Sequence, residues 1–392
     1  MPLLLVLACA TFVSGLAIRM IDPMVPTIAT DLGSPEAHIS LLASAYAIPY
    51  ALIQPVLGPL GDWVGKTRVI KFCLLILTIA TTLTAIASTV ELMFAARILG
   101  GLAGGGIIPL AIAAVGDHVP YGKRQMALSN ILTASLGAFL AGSIGTGLLA
   151  EFIGWRGVLV VAALMSATVF LIALFTLLDD ANTVANNQAG TTSAGRSALD
   201  GYARVFANPW AYVCYTAVFI EGILIFGLLP YVATLLAARG AGGIVEAGMV
   251  LAGMAIGGLF YTQIASRFIR RMGGVGNLIR MGGLFVALGY FGIARQGSWQ
   301  FEMAAFMLLG FGFYAVHNSL QTQATELAPQ NRGAAVALFA FFLFTGQAIG
   351  PLFYAASLSI MPPSLFISAI GIAAFSLSFL LAHMLRRSDA RA

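Results

Sequence analysis

Long apolar runs separated by short polar breaks fill almost the whole chain. A helix needs about 20 apolar residues to cross roughly 30 Å of hydrocarbon. By that measure twelve spans are predicted, over roughly 3–28, 40–60, 69–89, 92–116, 126–149 and 157–178, then 210–236, 244–265, 277–294, 301–325, 333–358 and 364–385. The one long polar stretch lies between spans six and seven, from Asp179 to Asn208. Its DDANTVANNQAGTTSAGRS is rich in Asn, Thr, Gly and Ser, the composition of a linker. It separates an N-terminal bundle, 1–178, from a C-terminal bundle, 209–392, with 179–208 expected as a cytoplasmic linker. Six runs on either side, in halves of nearly equal length, point to duplication. The first run has no basic n-region and no clear cleavage site, so it reads as a span and not as a signal peptide.

Composition turns this pattern into a fold class. Of 392 residues, 59% are hydrophobic and 9% are charged, whereas a soluble domain carries about 25% charged residues. The expected fold is an all-α polytopic membrane protein with twelve transmembrane helices in two six-helix bundles. The 44 glycines suit close approach of helix backbones in lipid. Cys9, Cys73 and Cys214 have no disulfide or zinc spacing, and no metal site or cofactor is expected. The net charge of +5 is scattered along the chain and forms no nucleic-acid patch. The expected partners are the lipid bilayer and a small-molecule substrate.

Charge placement sets the orientation. With the N-terminus in the cytoplasm, fifteen Lys and Arg fall at cytoplasmic ends, among them Lys66, Arg68, Lys71, Lys123, Arg124, Arg270 and Arg386. Only Arg156, Arg239 and Arg295 fall in outer loops. The positive-inside rule therefore puts both termini in the cytoplasm, and the short loops suit a bacterial inner membrane. The halves also share a plan. Asp117-x-x-Pro120 with Arg124 matches Glu326-x-x-Pro329 with Arg332, and Gly101 and Gly142 have counterparts in Gly310 and Gly350. Parallel repeats of this kind build twelve-helix transporters.

Between spans two and three the chain reads GPLGDWVGKTR, Gly58 to Arg68. It reads as a tight cytoplasmic turn with an acid that the positive-inside rule does not require. The stretch resembles the signature loop of the major facilitator superfamily through Gly58, Asp62, Gly65 and Lys66. It departs from the pattern at Trp63 and Thr67. The resemblance implies a latch between the two six-helix halves, with Asp62 facing the opposite half and Lys66 pairing with Asp117. Arg68 and Arg124 belong to the same cytoplasmic gate. At the matching place in the second half, Ser266 to Arg271 keeps the bases and lacks the acid and the glycine. The resemblance also implies a working monomer.

Charges inside the spans carry the candidate mechanism. Span four reads FAARILGGLAGGG, and a buried Arg97 costs at least about 2.5–3.5 kcal/mol, so it should face the interior with a partner. The run resembles the superfamily's span-four motif tied to proton transfer in antiporters, although Arg97 could also snorkel to the outer interface. In span five, Gly137, Gly142, Gly145 and Gly147 resemble the motif of drug/proton antiporters, with Ala141-Gly142 in place of Gly-Pro. Close helix packing would explain the same glycines. In span one, Arg19 and Asp22 are three apart and share a helix face. Asp22, four residues before Pro26, resembles an acid of twelve-span multidrug exporters that helps bind protons or cations. A structural ion pair is the other reading.

Glu221 in span seven sits near mid-membrane with no base nearby in sequence. It is expected either to bind and release protons or to be a neutral hydrogen-bonded acid. The proton-coupling set is thus Asp22, Glu221 and Arg97, with protons as the coupling ion. Tyr46, Tyr50 and Gln54 recur every four residues on span two. With Arg19, Phe219, Phe226, His317, Asn318, Gln321 and Gln347 they could line a substrate cavity. No HExxH, GxSxG or complete GxGxxG is present, so an intramembrane enzyme is a remote alternative and no catalytic residue is expected. The function read from the residues and the resemblance is export of small, lipophilic or drug-like molecules by proton antiport with alternating access. The alternative is a carrier for one metabolite, such as a sugar, amino acid or organic anion, bound through Arg19 and Arg97.

Overall fold

The computed structural model describes residues 2–177, 193–272, 274–328 and 331–389. Those residues are helical almost throughout and contain no strand. Only a helix pairs all of its backbone groups within one segment, as the hydrocarbon core demands. Polar side chains within the spans follow the same rule. The hydroxyls of Thr78, Thr81, Thr84, Ser135 and Thr345 each donate to the carbonyl four residues back.

Eleven stretches are long and apolar enough to cross a membrane. One of them, Met126–Thr176, has 51 residues, which as a single helix would reach about 76 Å. It is broken at Gly154, whose φ of 69° and ψ of 168° no helix contains. The stretch therefore supplies spans five and six, and the molecule is an all-α protein of twelve membrane helices. Aromatic residues such as Phe152 and Phe175, both 82% exposed, are what lipid-facing surfaces require.

Two compact units divide the chain, Met1–Ala203 and Arg204–Ala392. Residues 179–192 of the expected linker lie outside the described ones, and Ser193–Phe206 is a helix. At its first-unit end Tyr202 Oη donates to the Pro55 carbonyl at 3.2 Å. In the second unit Phe206 packs on the rings of Tyr212 and Tyr215.

The repeat is visible as packing. Gly101 of span four lies against the Tyr46 carbonyl of span two, and Gly310 of span ten lies against Met254 of span eight. Gly142 lies against Leu16 and Arg19 of span one, while Gly350 lies against Ile223 and Gly227 of span seven. The side chains of Thr89 and Ser298 cap spans four and ten. The turn after span two is shorter than the sequence suggests: helix runs to Val64, and Gly65, at φ 102° and ψ 128°, is the whole break before Lys66. Its partner in the second half is Gly274, at φ 136°. The glycine expected to be lost there is present, three residues beyond Arg271. Only glycine adopts such angles without strain.

Spans one and seven are each broken after a helix of 18 residues. Span one runs as helix Pro2–Arg19, a 3-10 turn Asp22–Met24, then helix Val25–Leu32. Span seven runs as helix Pro209–Phe226, a turn Leu229–Tyr231, then helix Val232–Ala237. Pro23 and Pro230 lack the N–H that would continue each helix. Each break strips carbonyls of their backbone partners, and the side chains that replace those partners define the candidate site.

Candidate functional site

In the first unit the break in span one gathers Arg19, Asp22 and Arg97. Arg97 is 2% exposed, which removes the snorkelling reading. Its Nη1 donates to the Ala17 carbonyl at 2.7 Å, with longer contacts from Nη2 to Ile18 O at 3.5 Å and from Nε to Leu42 O at 3.4 Å. The first two acceptors lie at the end of the helix Pro2–Arg19, so the guanidinium caps it. A helix C-terminus carries partial negative charge, which offsets the burial of the cation. The guanidinium also lies 4.1 Å from the centre of the Tyr46 ring, close enough for a cation–π contact.

Arg19 Nη1 is 3.5 Å from Asp22 Oδ2, and both residues are buried. The backbone beside them is itself irregular. Ala141–Gly145 of span five form a π-helical turn, and a Cβ on Gly142 would meet the Arg19 Cβ at 3.3 Å. Of the glycines resembling the antiporter motif, Gly142 and Gly145 therefore lie where span five widens, and Gly142 closes on Arg19. Such turns occur often at functional sites.

In the second unit Glu221 is 6% exposed and has a partner. His317 Nδ1 of span ten lies 2.9 Å from Glu221 Oε2. No base lies near Glu221 in sequence, and the two are 96 positions apart, brought together by helix packing. The imidazole stacks on Phe313 at 5.0 Å and contacts Phe339 at 5.2 Å. Phe313 in turn meets Phe226 edge-on at 5.3 Å. Glu221, His317 and Phe226 are thus joined in one aromatic-walled cluster.

The remaining residues divide. Tyr46, Tyr50 and Gln54 are all buried, and the two tyrosines pack over Gly100, Gly101, Gly104 and Gly105 of span four. They seal an interhelical seam instead of lining an open surface. Gln347 is buried where span eleven crosses Gly222 of span seven. Phe219 and Asn318 are half-buried and Gln321 is exposed. At the loop, Lys66 Nζ lies 2.5 Å from Asp117 Oδ2, Gly65 forms the turn and Arg68 is exposed. Gly58 lies within the helix Leu42–Val64, and the side chains of Asp62 and Arg124 are outside the described ones.

Several participants had no sequence signal of their own. Tyr290 and Tyr354 both donate to the Leu224 carbonyl, at 2.6 and 2.7 Å, just before the break in span seven. They do for span seven what Arg97 does for span one. Arg239 pairs with Glu302, which is 3% exposed, and ties the C-terminal piece of span seven to span ten. Asp31, at the C-terminal end of span one, accepts from Arg156 and from Trp155 Nε1. A proline within an apolar run is the one hint that buried donors must exist elsewhere.

The family model described as Major Facilitator Superfamily matches residues 7–351. The chain is 24% identical over 353 residues to "Multidrug resistance protein 1" of Bacillus subtilis (strain 168), covering 89% of this chain and 88% of that protein. Among solved structures it resembles the nucleoside transporter NupG, with a TM-score of 0.77 at 18% identity, covering 98% of this chain and 99% of that one. It also resembles a D-xylose–proton symporter, with a TM-score of 0.72 at 15% identity and 96% coverage of each. At these identities the two structures speak for the fold alone.

Proposed function

The chain belongs to the major facilitator superfamily of membrane transporters, and from that premise we propose that it exports small lipophilic or drug-like molecules in exchange for protons. The observation that carries this reading is the pairing of buried Glu221 with His317. A carboxyl inside a membrane is a functional group by default, and here its partner can itself take up a proton. The aromatic wall of Phe226, Phe313 and Phe339 around the pair suits apolar, ring-containing ligands. Similarity to a protein named for multidrug resistance over nearly the whole chain supports the direction of transport.

Asp22 is the second proposed proton carrier, held beside Arg19 at the break in span one. Arg97 acts as a positioning residue, because its guanidinium is engaged with the carbonyls of Ala17, Ile18 and Leu42. That engagement also weighs against the metabolite reading, in which Arg97 would bind an anionic substrate. The transport cycle is one of alternating access, in a bacterial inner membrane with both termini in the cytoplasm. A potential of 100 mV supplies about 2.3 kcal/mol for each charge moved, enough to drive a substantial substrate gradient.

The test is proton release from the detergent-purified protein on addition of tetraphenylphosphonium or another lipophilic cation. Wild type is compared with Asp22→Asn and Glu221→Gln. Release that is lost in one variant supports antiport and identifies the coupling carboxyl. Demonstrated binding without release from wild type sinks the proton-exchange reading.

A further inference from the structure

The second unit contains a partly open cavity of about 20 Å³ walled by spans seven, nine, ten and twelve. Its wall includes Glu221, Val286, Phe313, Ala374, Ser378 and Leu381. Most of this wall is apolar, and Glu221 and Ser378 are its polar residues. His317 is not part of the wall. Glu221 is thus shared: its Oε2 meets the imidazole, and the same residue lines the cavity.

A dry cavity in a protein is lined by apolar groups alone, and about 10–15 Å³ of such space is enough for one water. A water also needs at least two polar partners. Here the carboxyl accepts from it, and the Ser378 oxygen, whose proton is directed to the Ala374 carbonyl at 2.9 Å, keeps a lone pair for a second hydrogen bond.

We infer that this cavity is a binding site for water, and that the bound water exchanges protons with Glu221 on a route separate from His317. The inference rests on the reading of Glu221 as a coupling carboxyl. The step balances simply. A proton delivered to the cavity as hydronium passes to the carboxylate: one O–H bond of the hydronium breaks as the carboxyl O–H forms, leaving neutral water. Release is the reverse. The imidazole then need not break from the carboxyl for a proton to reach it, so loading is possible while the aromatic cluster around His317 stays closed.

Ala374→Val adds two methyl groups to the wall and fills the space. Ser378→Ala is the milder variant, which keeps the room and removes one partner. The measurement is infrared difference spectroscopy of the purified protein across a pH step, in ordinary water and in water labelled with oxygen-18. The Glu221 carboxyl band is identified by its loss in Glu221→Gln.

The expected result is a bound-water O–H band, sensitive to oxygen-18, that is shifted in Ser378→Ala and absent in Ala374→Val. Hydrogen–deuterium exchange of the Glu221 band should slow in Ala374→Val, with proton-driven efflux from vesicles falling by about fivefold or more. A gel-filtration profile and melting temperature like those of wild type show that the variant is folded. If folded Ala374→Val keeps the water band or wild-type exchange, the inference is overturned. Failure of the functional reading looks different: Glu221→Gln then keeps full proton-driven efflux while the water band still disappears in Ala374→Val.

Discussion

Replacing Tyr290 and Tyr354 by phenylalanine, singly and together, tests how the break in span seven is held. The two hydroxyls converge on one acceptor, the Leu224 carbonyl, at 2.6 and 2.7 Å. Tyr→Phe keeps the ring and its packing, so the change reports the hydroxyl. With one tyrosine gone the carbonyl keeps the other donor, and the loss is that of one hydrogen bond, about 0.6 kcal/mol inside a membrane. With both gone a buried carbonyl has no side-chain donor where the helix has stopped supplying backbone ones, a penalty of about 1–3 kcal/mol. The double variant should therefore lose about 1–2 kcal/mol more than the singles predict together, as groups sharing a partner do.

At about 2–4 °C per kcal/mol for a folding unit the size of the second one, Arg204–Ala392, each single variant should melt about 1–3 °C below wild type. The double should melt about 4–13 °C below. The assay is the loss of the monodisperse gel-filtration peak after heating in detergent. Additive shifts would refute the shared-acceptor reasoning and mean that the break is held by apolar packing.

Helix seams give a second prediction. A Cβ on Gly346 would meet Gly222 Cα at 3.0 Å and press on the Phe219 carbonyl, so Gly346→Ala should force spans seven and eleven apart. A loss of about 1–3 kcal/mol is expected, read as a lower melting temperature and less folded protein in the membrane. Gly116 in span four has nothing within 4 Å, and Gly116→Ala should be neutral or gain up to about 1 kcal/mol. Equal effects of the two would contradict the packing argument. Just beyond the C-terminal piece of span seven, Arg239→Ala leaves Glu302 buried without its cation. It should lose about 3–5 kcal/mol, more than Glu302→Gln, which still accepts a hydrogen bond; a melting series in which Glu302→Gln is the worse variant would reject this.

Much of the architecture is legible without coordinates, because membrane insertion reads local sequence. A run such as Leu3–Leu32 or Trp299–Glu326 is apolar over enough residues to span, whatever its neighbours do. The duplication is legible for the same reason, since Gly101 and Gly310, or Gly142 and Gly350, occupy the same contacts in each half. Span boundaries follow less well where the chain turns tightly. The break between spans two and three is a single residue, Gly65, and that depends on backbone angles which composition does not reveal.

The candidate site is legible only in part. Residues three or four apart on one helix share a face by geometry alone, so Arg19 beside Asp22 could be read directly. Sequence also marks Arg97 and Glu221 as costly to bury and therefore in need of partners. It cannot say which partners. Pairing Glu221 with His317 across 96 positions, or Arg97 with the carbonyls of Ala17 and Leu42, depends on the rotation and depth at which separate helices meet. The same is true of Tyr290 and Tyr354, ordinary aromatic residues of apolar runs until packing delivers both to Leu224. The sequence by itself determined the spans, their number and the cost of each buried charge, because hydrophobic transfer is a property of each segment. The tertiary structure decided how each charge is neutralised, because hydrogen bonds and ion pairs act over a few ångströms between surfaces that only assembly brings together.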